Sequence, residues 1–431
     1  MPTQALPGFR DFFPDEAAFR NHIFAVWRDV AHRYGFEEYE GPPLEALELY
    51  TQKSGDEIVQ QLYSFEDKGG RAIALRPEAT PTLARMVAQR ARALKKPIRW
   101  FTLPQLFRYE RQQRGRLREH FQLNMDILGE PGPLADAEVI AAAVDIVRTF
   151  GLTATDFRVR VSDRRVAHAL LAARGLTETQ IPVAYAHIDK LEREPRNELL
   201  QNLMRAAELT ERAANDALEI GDLRTLDQVR EAVQARGARG VDGGETVAPL
   251  IECLEALEAM GLGDYLDVDL SVVRGLDYYT GIVFELFDAK RSLRAICGGG
   301  RYDGLLQALG GIDMPAVGFG MGDVVLGELI AARIDHPPAG ILDAFVVAVT
   351  SEDVPFVLDL AHRLRDHGKR VEFALKPQSV GKQLKLAAAR SAKRAILVGP
   401  DEREAGVVVA RHLESGEEER MTPEHLLSAE D

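Results

Sequence analysis

The chain has 431 residues, 46% of them apolar and 28% charged, with a formal net charge of -14, a size for about two to four domains that each bury a core. Its two cysteines, Cys253 and Cys297, exclude a disulfide framework and a four-cysteine zinc site. No stretch reaches the ~20 apolar residues of a membrane span, and the opening Met1-Pro2-Thr3-Gln4 lacks the basic-then-apolar pattern of a signal peptide; a cytoplasmic protein is expected. The acidic average weighs against nucleic acid as a partner. The positive charge is nevertheless clustered, along residues 85–99 and in the five arginines from Arg108 to Arg118.

In chain order, residues 16–34 carry Phe19, Ile23, Phe24, Trp27, Val30 and Ala31 at helical spacing, and Gly35 stops the helix. Pro42-Pro43 punctuates an extended segment. Residues 72–75 read as a strand, 81–92 as a helix, 98–108 and 121–128 as strands joined by the arginine loop, 135–150 as a helix and 157–161 as an alternating strand. From 164 to 262 the sequence is rich in Ala, Leu, Glu and Arg at helical spacing, which predicts a helical insertion. Strands resume over 265–287, with Leu266, Val268, Leu270 and Val272 on one face. The run Asp335-His-Pro-Pro-Ala-Gly-Ile341 reads as a linker, and strand and helix then alternate through residue 398, predicting a small α/β unit with a partly parallel sheet. The expected fold class is α+β: a first domain of residues 1–163 and 263–334, the insertion at 164–262, and a last domain of 342–431.

Chemistry concentrates at four places. Arg274-Gly-Leu-Asp-Tyr-Tyr279 lies in a turn between strands, where Arg274 can face an anion while Tyr278 and Tyr279 line a small polar pocket. Gly299-Gly-Arg-Tyr-Asp303 follows, its glycines allowing close backbone approach. Arg76-Pro-Glu-Ala-Thr80 feeds a helix; Glu78 can accept from an ammonium, and Thr80 either caps the helix or bonds a ligand. Arg108-Tyr-Glu110 opens the arginine loop, which leads to Gln122 and Asp126, four apart and so on one strand face. Crowded guanidinium groups suit phosphate oxygens. No Gly-x-Ser-x-Gly elbow, Walker A sequence or metal-ligand histidine spacing occurs. Attack by a carboxylate on an α-phosphate fits this inventory, because a carboxylate needs no general base and catalysis reduces to positioning and charge stabilisation.

Over almost the whole chain these residues resemble the histidyl-tRNA synthetases of class II. Gly35-Phe-Glu-Glu-Tyr-Glu-Gly-Pro42 is similar to motif 1, Phe107-Arg-Tyr-Glu110 through Asp126 to motif 2, and the Arg274–Tyr279 and Gly299–Asp303 stretches to the two histidine-specific motifs. The resemblance implies a class II-like antiparallel sheet with flanking helices and a C-terminal anticodon-binding-like domain. It implies ATP-dependent activation of L-histidine to the adenylate and transfer to tRNA(His) by a homodimer, joined through the N-terminal helix and the Pro42 segment. It further implies that Arg108 and Arg274 are catalytic and that histidine is held by Glu78, Ala79, Thr80, Arg108, Gln122, Asp126, Arg274, Tyr278, Tyr279 and Tyr302. ATP would be held by Arg108, Glu110, Arg116 and Arg274, with Mg2+ on its phosphates and no metal held by a side-chain cluster. Arg111, Arg114, Arg118, Lys382 and Lys385 are the candidate tRNA contacts, with Arg390, Lys393 and Arg394 nearby. One departure stands out: where the family's motif 3 ends in Glu-Arg, whose arginine binds the ATP γ-phosphate, this chain has Val324-Val325. Arg116 or another loop arginine is the expected substitute. That departure also keeps an alternative open: a catalytically idle relative that senses histidine as a regulatory subunit of ATP phosphoribosyltransferase. A ligase acting on another acceptor is a third reading.

Overall fold

The computed structural model describes residues 4–51, 59–110, 117–235, 243–273, 278–333 and 342–428. The chain divides into two compact units, Met1–Asp11 with Arg20–Asp335, and Phe12–Phe19 with His336–Asp431. From the N-terminus, α1 (Pro14–Arg33) buries Ile23, Trp27, Val30 and Ala31, the stripe that its periodicity predicts. After β1 (Glu37–Glu38), the short strands β2 (Leu44–Ala46), β3 (Ser64–Glu66) and β4 (Ala72–Leu75) form a small sheet of their own, with the single turn α2 (Glu48–Thr51) between β2 and β3. Then come α3 (Thr80–Arg90), β5 (Ile98–Thr102), β6 (Gln105–Phe107), β7 (Glu119–Leu128), α4 (Pro133–Thr149) and β8 (Phe157–Asp163).

Among the described residues six α-helices follow: α5 (Arg164–Ala173), α6 (Ile181–Ile188), α7 (Arg196–Ala206), α8 (Glu211–Leu218), α9 (Leu226–Ala235) and α10 (Gly243–Ala259). They share an apolar core that includes Val166, Leu170, Leu199, Leu203, Leu218 and Val229. The first unit closes with β9 (Leu266–Val268), β10 (Ile282–Asp288), β11 (Cys297–Arg301), α11 (Leu305–Gly310), β12 (Ala316–Gly322) and α12 (Asp323–Ala331). Its main sheet runs β1-β5-β7-β12-β11-β10-β8-β9, with β6 paired to β7 beside that path. Pairing is antiparallel except for β1 with β5 and β8 with β9.

Two expected strands are interrupted, each for a local reason. The run 98–108 breaks between β5 and β6, at Leu103-Pro104, because proline has no N–H for the ladder. The alternating run from Leu266 ends at Val268: the Asp269 carboxylate accepts from the Ser271 backbone N–H (2.9 Å) and hydroxyl (2.6 Å), and this side-chain turn competes with the strand. Leu270 and Val272 stay buried all the same.

The second unit holds β13 (Leu342–Ala348), α13 (Val354–Asp366), β14 (Val371–Phe373), α14 (Val380–Ala389), β15 (Ala392–Val398), α15 (Pro400–Ala405), β16 (Val408–His412), β17 (Glu418–Met421) and α16 (Pro423–Ser428). Its sheet is ordered β14-β13-β15-β16-β17; β13 runs parallel to β14 and β15, and the last two pairs are antiparallel. Strands β16 and β17 lie beyond the stretch where the sequence pattern was readable. Among the described residues no helix is long and apolar enough to cross a membrane.

Candidate active site

The site is built on strand alternation. On β7 the period of two puts Gln122, Asn124 and Asp126 on one face. The neighbouring strand β12 reads Gly318-Phe-Gly-Met-Gly322, and its register sets Gly318 opposite Asp126, Gly320 opposite Asn124 and Gly322 opposite Gln122. The glycines make room for those side chains. A Cβ at Gly318 would lie 2.0 Å from Asp126 Oδ1, and one at Gly320 would lie 2.3 Å from Gln122 Nε2. The cavity over this floor has a volume of about 80 Å3 and is lined also by Glu78, Thr80, Arg108, Tyr278, Tyr279 and Tyr302.

Each wall residue is placed by its own element. Thr80 begins α3, but the cap position is Ala79 and no side chain caps that helix. The Thr80 hydroxyl is thus not spent as a cap, and it lies within reach of the Tyr278 phenol. Glu78 is buried, and its Oε2 accepts from Tyr278 at 3.4 Å. Arg108 follows β6; its Nε donates to the Pro77 carbonyl at 2.9 Å, which ties the guanidinium to the segment carrying Glu78. Tyr302 ends the β11 stretch and donates to Asp126 Oδ1 at 2.5 Å. Its ring and that of Tyr279 both meet Tyr278 edge-on, at 5.7 and 5.4 Å.

Electrostatics set the site apart from ordinary core. Burial pushes the Asp126 carboxyl up to about 7, a rise that the Tyr302 hydrogen bond only partly offsets. Burial raises the three phenols as well, so Tyr278, Tyr279 and Tyr302 act as neutral hydrogen-bonding groups. Farther along the same β7 face, burial and then the charges of Arg108 and Arg10 lower His120 to about 3, which keeps its ring neutral. Two buried acceptors in the cavity, Asp126 Oδ2 and Asn124 Oδ1, have no hydrogen-bond partner among the described residues. Unpaired buried acceptors are costly and rare in native proteins. A ligand with N–H groups relieves both.

Of the residues expected from sequence, Glu78, Thr80, Arg108, Gln122, Asp126, Tyr278, Tyr279 and Tyr302 share this cavity. Ala79 is buried next to it without lining it. Glu110 is half-buried, and its backbone N–H donates to the Arg108 carbonyl at 2.7 Å. Arg118 stacks over the Tyr109 ring at 4.1 Å. Lys382 and Lys385 are exposed on α14, while Arg390 pairs with Glu372 and Lys393 with Asp343. Arg111, Arg114, Arg116 and Arg274 lie outside the described residues. Sequence reasoning missed Asn124, Gly298, Gly318, Phe319 and Gly320, all of which line the cavity. The alternation that paired Gln122 with Asp126 also selects Asn124, so that signal was present. In the Gly299–Asp303 stretch only Tyr302 enters the cavity: Arg301 is buried in an ion pair with Asp136, and Asp303 Oδ1 accepts from the Ala316 N–H at 3.1 Å.

At the motif 3 departure, Val324 and Val325 are half-buried in the first turn of α12. The residue before them, Asp323, accepts from the Phe121 N–H (2.9 Å) and from Arg10 (2.9 Å), and Arg10 also binds Glu119 (2.6 Å). The N-terminal segment is thereby fastened to the sheet by one guanidinium and two carboxylates. Among the described residues no group of three or more histidines, cysteines or acids is arranged to hold a metal ion.

The family model for histidyl-tRNA synthetase matches residues 8–322, and that for the anticodon binding domain matches residues 343–429. The chain is similar to a histidine--tRNA ligase of Opitutus terrae, with 46% identity over 95% of this chain and 94% of the relative. It is 41% identical, over 95% of this chain and 83% of the relative, to the chloroplastic/mitochondrial histidine--tRNA ligase of Arabidopsis thaliana. Its fold matches the crystal structure of histidyl-tRNA synthetase from Nostoc sp. PCC 7120 with a TM-score of 0.86, at 24% identity, covering 99% of this chain and 98% of that one. With its catalytic sheet and its C-terminal domain both matched, the chain belongs to the histidyl-tRNA synthetase family.

Proposed function

We propose that the cavity over the β7–β12 glycine floor is where this chain holds L-histidine for the family's reaction. In that reaction ATP activates histidine to histidyl-adenylate, and the histidyl group then passes to tRNA. The observation that carries the assignment is the pair of unpartnered buried acceptors, Asp126 Oδ2 and Asn124 Oδ1, beside the neutral Tyr302 phenol. An imidazole supplies a ring N–H to Asp126 and fits among the rings of Tyr278, Tyr279 and Tyr302. A side chain without ring nitrogens leaves those acceptors buried and unpaired, which is the strong form of discrimination.

Glu78, Thr80 and Gln122 surround the place for the ammonium, and Arg108 bridges the carboxylate and the α-phosphate. The carboxylate oxygen attacks α-phosphorus, the bond to the bridging oxygen breaks, and pyrophosphate leaves with its electrons. Arg108, joined in this proposal by Arg274, stabilises the charge that builds on the α-phosphoryl oxygens. Glu110 accepts from the adenine amino group, Arg116 reaches the outer phosphates in place of the motif 3 arginine, and Mg2+ arrives as part of the nucleotide substrate. Residues 1–163 and 263–334 serve as the catalytic domain, 164–262 as its helical insertion and 342–431 as the anticodon reader. We assign the tRNA contacts to Arg111, Arg114, Arg118, Lys382 and Lys385, and the working form to a cytoplasmic homodimer.

Relatives at 46% and 41% identity are named as ligases, so the regulatory reading is not favoured. The test is charging: purified chain, ATP with magnesium, labelled histidine and a tRNA(His) transcript. Acid-precipitable histidine on tRNA is the expected result. Histidine binding without charging returns the chain to the regulatory reading.

A further inference from the structure

Residues 7–10 lie against the base of the arginine loop, formed by residues 107–110 and 118–119. Phe107 stands opposite Glu119 in the β6–β7 pairing, and the Arg108 N–H donates to the Arg118 carbonyl at 3.0 Å. The Arg118 N–H goes instead to the N-terminal segment, donating to the Gly8 carbonyl at 2.9 Å. Gly8 has a φ of +86°, and a Cβ there would lie 2.7 Å from Arg118 Cγ, so backbone and space both call for glycine. Phe9 packs its ring against those of Tyr63 and Phe107, with centroids 6.1 and 6.4 Å apart. The Arg118 guanidinium spans the gap, donating to the carbonyls of Glu110 and Pro7 at 3.4 Å each.

Arg10 closes this contact with charge. Its Nε and Nη2 bind the Glu119 carboxylate at 2.6 and 3.3 Å, and its Nη1 binds Asp323 at 2.9 Å. Both carboxylates are buried, Glu119 at the start of β7 and Asp323 at the start of α12. Gln105 donates to Glu119 at 2.9 Å, and Asp323 takes the Phe121 N–H at 2.9 Å. Removing Arg10 takes from two buried carboxylates the cation they share, a costly arrangement that relaxes by moving the strand ends or admitting water. Burial raises the Asp323 carboxyl, and Arg10 works against that rise. The charge of Arg10 also reaches the cavity-bearing face of β7, where, after burial, it joins that of Arg108 in lowering His120. The histidine side has an anchor of its own, since the Arg108 guanidinium is tied to the Pro77 carbonyl at 2.9 Å.

We propose that Arg10 is a positioning residue for ATP: its clasp on Glu119 and Asp323 sets the ends of the arginine loop, and with them Glu110, where the nucleotide is bound. The proposal rests on the synthetase reading of the site, in which Glu110 and the loop arginines hold ATP. Arg10 acts through Glu119 and touches neither substrate. At a helix start that carries Val324-Val325 in place of Glu-Arg, the clasp supplies a charged link to β7.

The test is a split between the two substrates of histidine-dependent ATP–pyrophosphate exchange. Arg10→Met keeps the apolar stem and removes the charge, Arg10→Lys keeps the charge and loses the fork, and Glu119→Gln weakens the clasp from the strand side. In Arg10→Met the KM for ATP is expected to rise about tenfold, while the KM for histidine, and histidine binding without nucleotide by calorimetry, stay within about twofold of wild type. Arg10→Lys recovers part of the loss. Glu119→Gln raises the KM for ATP as well, and the double variant Arg10→Met with Glu119→Gln is no worse than Arg10→Met alone, the non-additivity expected of residues that act as one pair. A KM for ATP within about twofold of wild type in both single variants overturns the proposal, whatever happens to stability. So does an equal rise in both KM values, because the clasp then serves the fold as a whole. If Arg10→Met does not fold, Glu119→Gln decides by the same two criteria. Absence of exchange in the wild type is a different failure, that of the synthetase reading itself.

Discussion

Two buried amides show how this molecule divides structure from chemistry. In the C-terminal unit, Gln383 is buried on α14 with its side chain fully occupied: Nε2 donates to the carbonyls of Ala348 (2.8 Å) and Gln378 (2.9 Å), and Oε1 accepts from the Ala348 N–H (3.2 Å). In the sheet of the first unit, Asn124 is nearly as buried, yet its Oδ1 has no partner among the described residues and lines a cavity. A satisfied buried amide fixes a fold; one left open at a cavity waits for a ligand. The charges divide the same way, with Lys382 and Lys385 solvated beside Gln383 while Asp126 is held out of water beside Asn124.

The largest effect is expected at the charge the reaction itself needs. Arg108→Ala lowers histidine-dependent exchange by about 10²–10³-fold, with the far-ultraviolet circular dichroism unchanged. Next is Asp126→Asn, which raises KM for histidine in exchange by about 10- to 100-fold through loss of a charged acceptor. The same variant carries a pH signature. The Asp126 carboxyl is raised from its ordinary value of 3.8 to about 7, so the folded chain holds a proton that the unfolded chain releases. This residue's contribution is complete below pH ~4 and is lost as pH rises through ~7. The stability difference between wild type and Asp126→Asn therefore moves against the wild type across that window, by on the order of a few kcal/mol in urea unfolding. A flat difference between pH 4 and 8 contradicts the raised value.

The amide pair gives the sharpest contrast. Gln383→Ala removes a satisfied buried group and costs the C-terminal unit about 1–3 kcal/mol, with KM for histidine unchanged. Asn124→Ala removes an unsatisfied acceptor, so stability changes by less than about 1 kcal/mol while KM for histidine rises about fivefold. Equal stability losses in the two variants erase the distinction drawn here. The smallest effect is expected at the exposed lysines: Lys382→Ala with Lys385→Ala raises KM for tRNA about two- to threefold and flattens the salt dependence of binding by about 1–2 units of log–log slope, leaving exchange untouched.

Much of this site was legible because strand alternation is local. Spacing put Gln122 and Asp126 on one strand face, clustering drew notice to Tyr278, Tyr279 and Tyr302, and the resemblance supplied their expected roles; all five meet in one cavity. What stayed hidden depends on register. Gly318 and Gly320 look like any glycines in a strand until β12 is laid against β7, and then they form the floor. Thr80 was ambiguous because a threonine before a helix is usually its cap, and only the observed cap position at Ala79 frees its hydroxyl. Arg301 and Tyr302 are adjacent in sequence and opposite in use, since alternation sends one into an ion pair and the other into the pocket. The helical character of residues 164–262 was visible in composition, whereas the break at Pro104 and the Asp269 turn were set by single residues that a window average smooths over.

The central claim, that unpartnered acceptors on β7 make this a histidine-activating pocket, is tested most directly by ATP–pyrophosphate exchange on the purified protein, with each of the standard amino acids in turn. Exchange with histidine alone, weakened in KM by Asp126→Asn, is the expected outcome and shows that Val325 is compatible with activation. Exchange with no amino acid, or exchange with histidine that is indifferent to Asp126→Asn, contradicts the account.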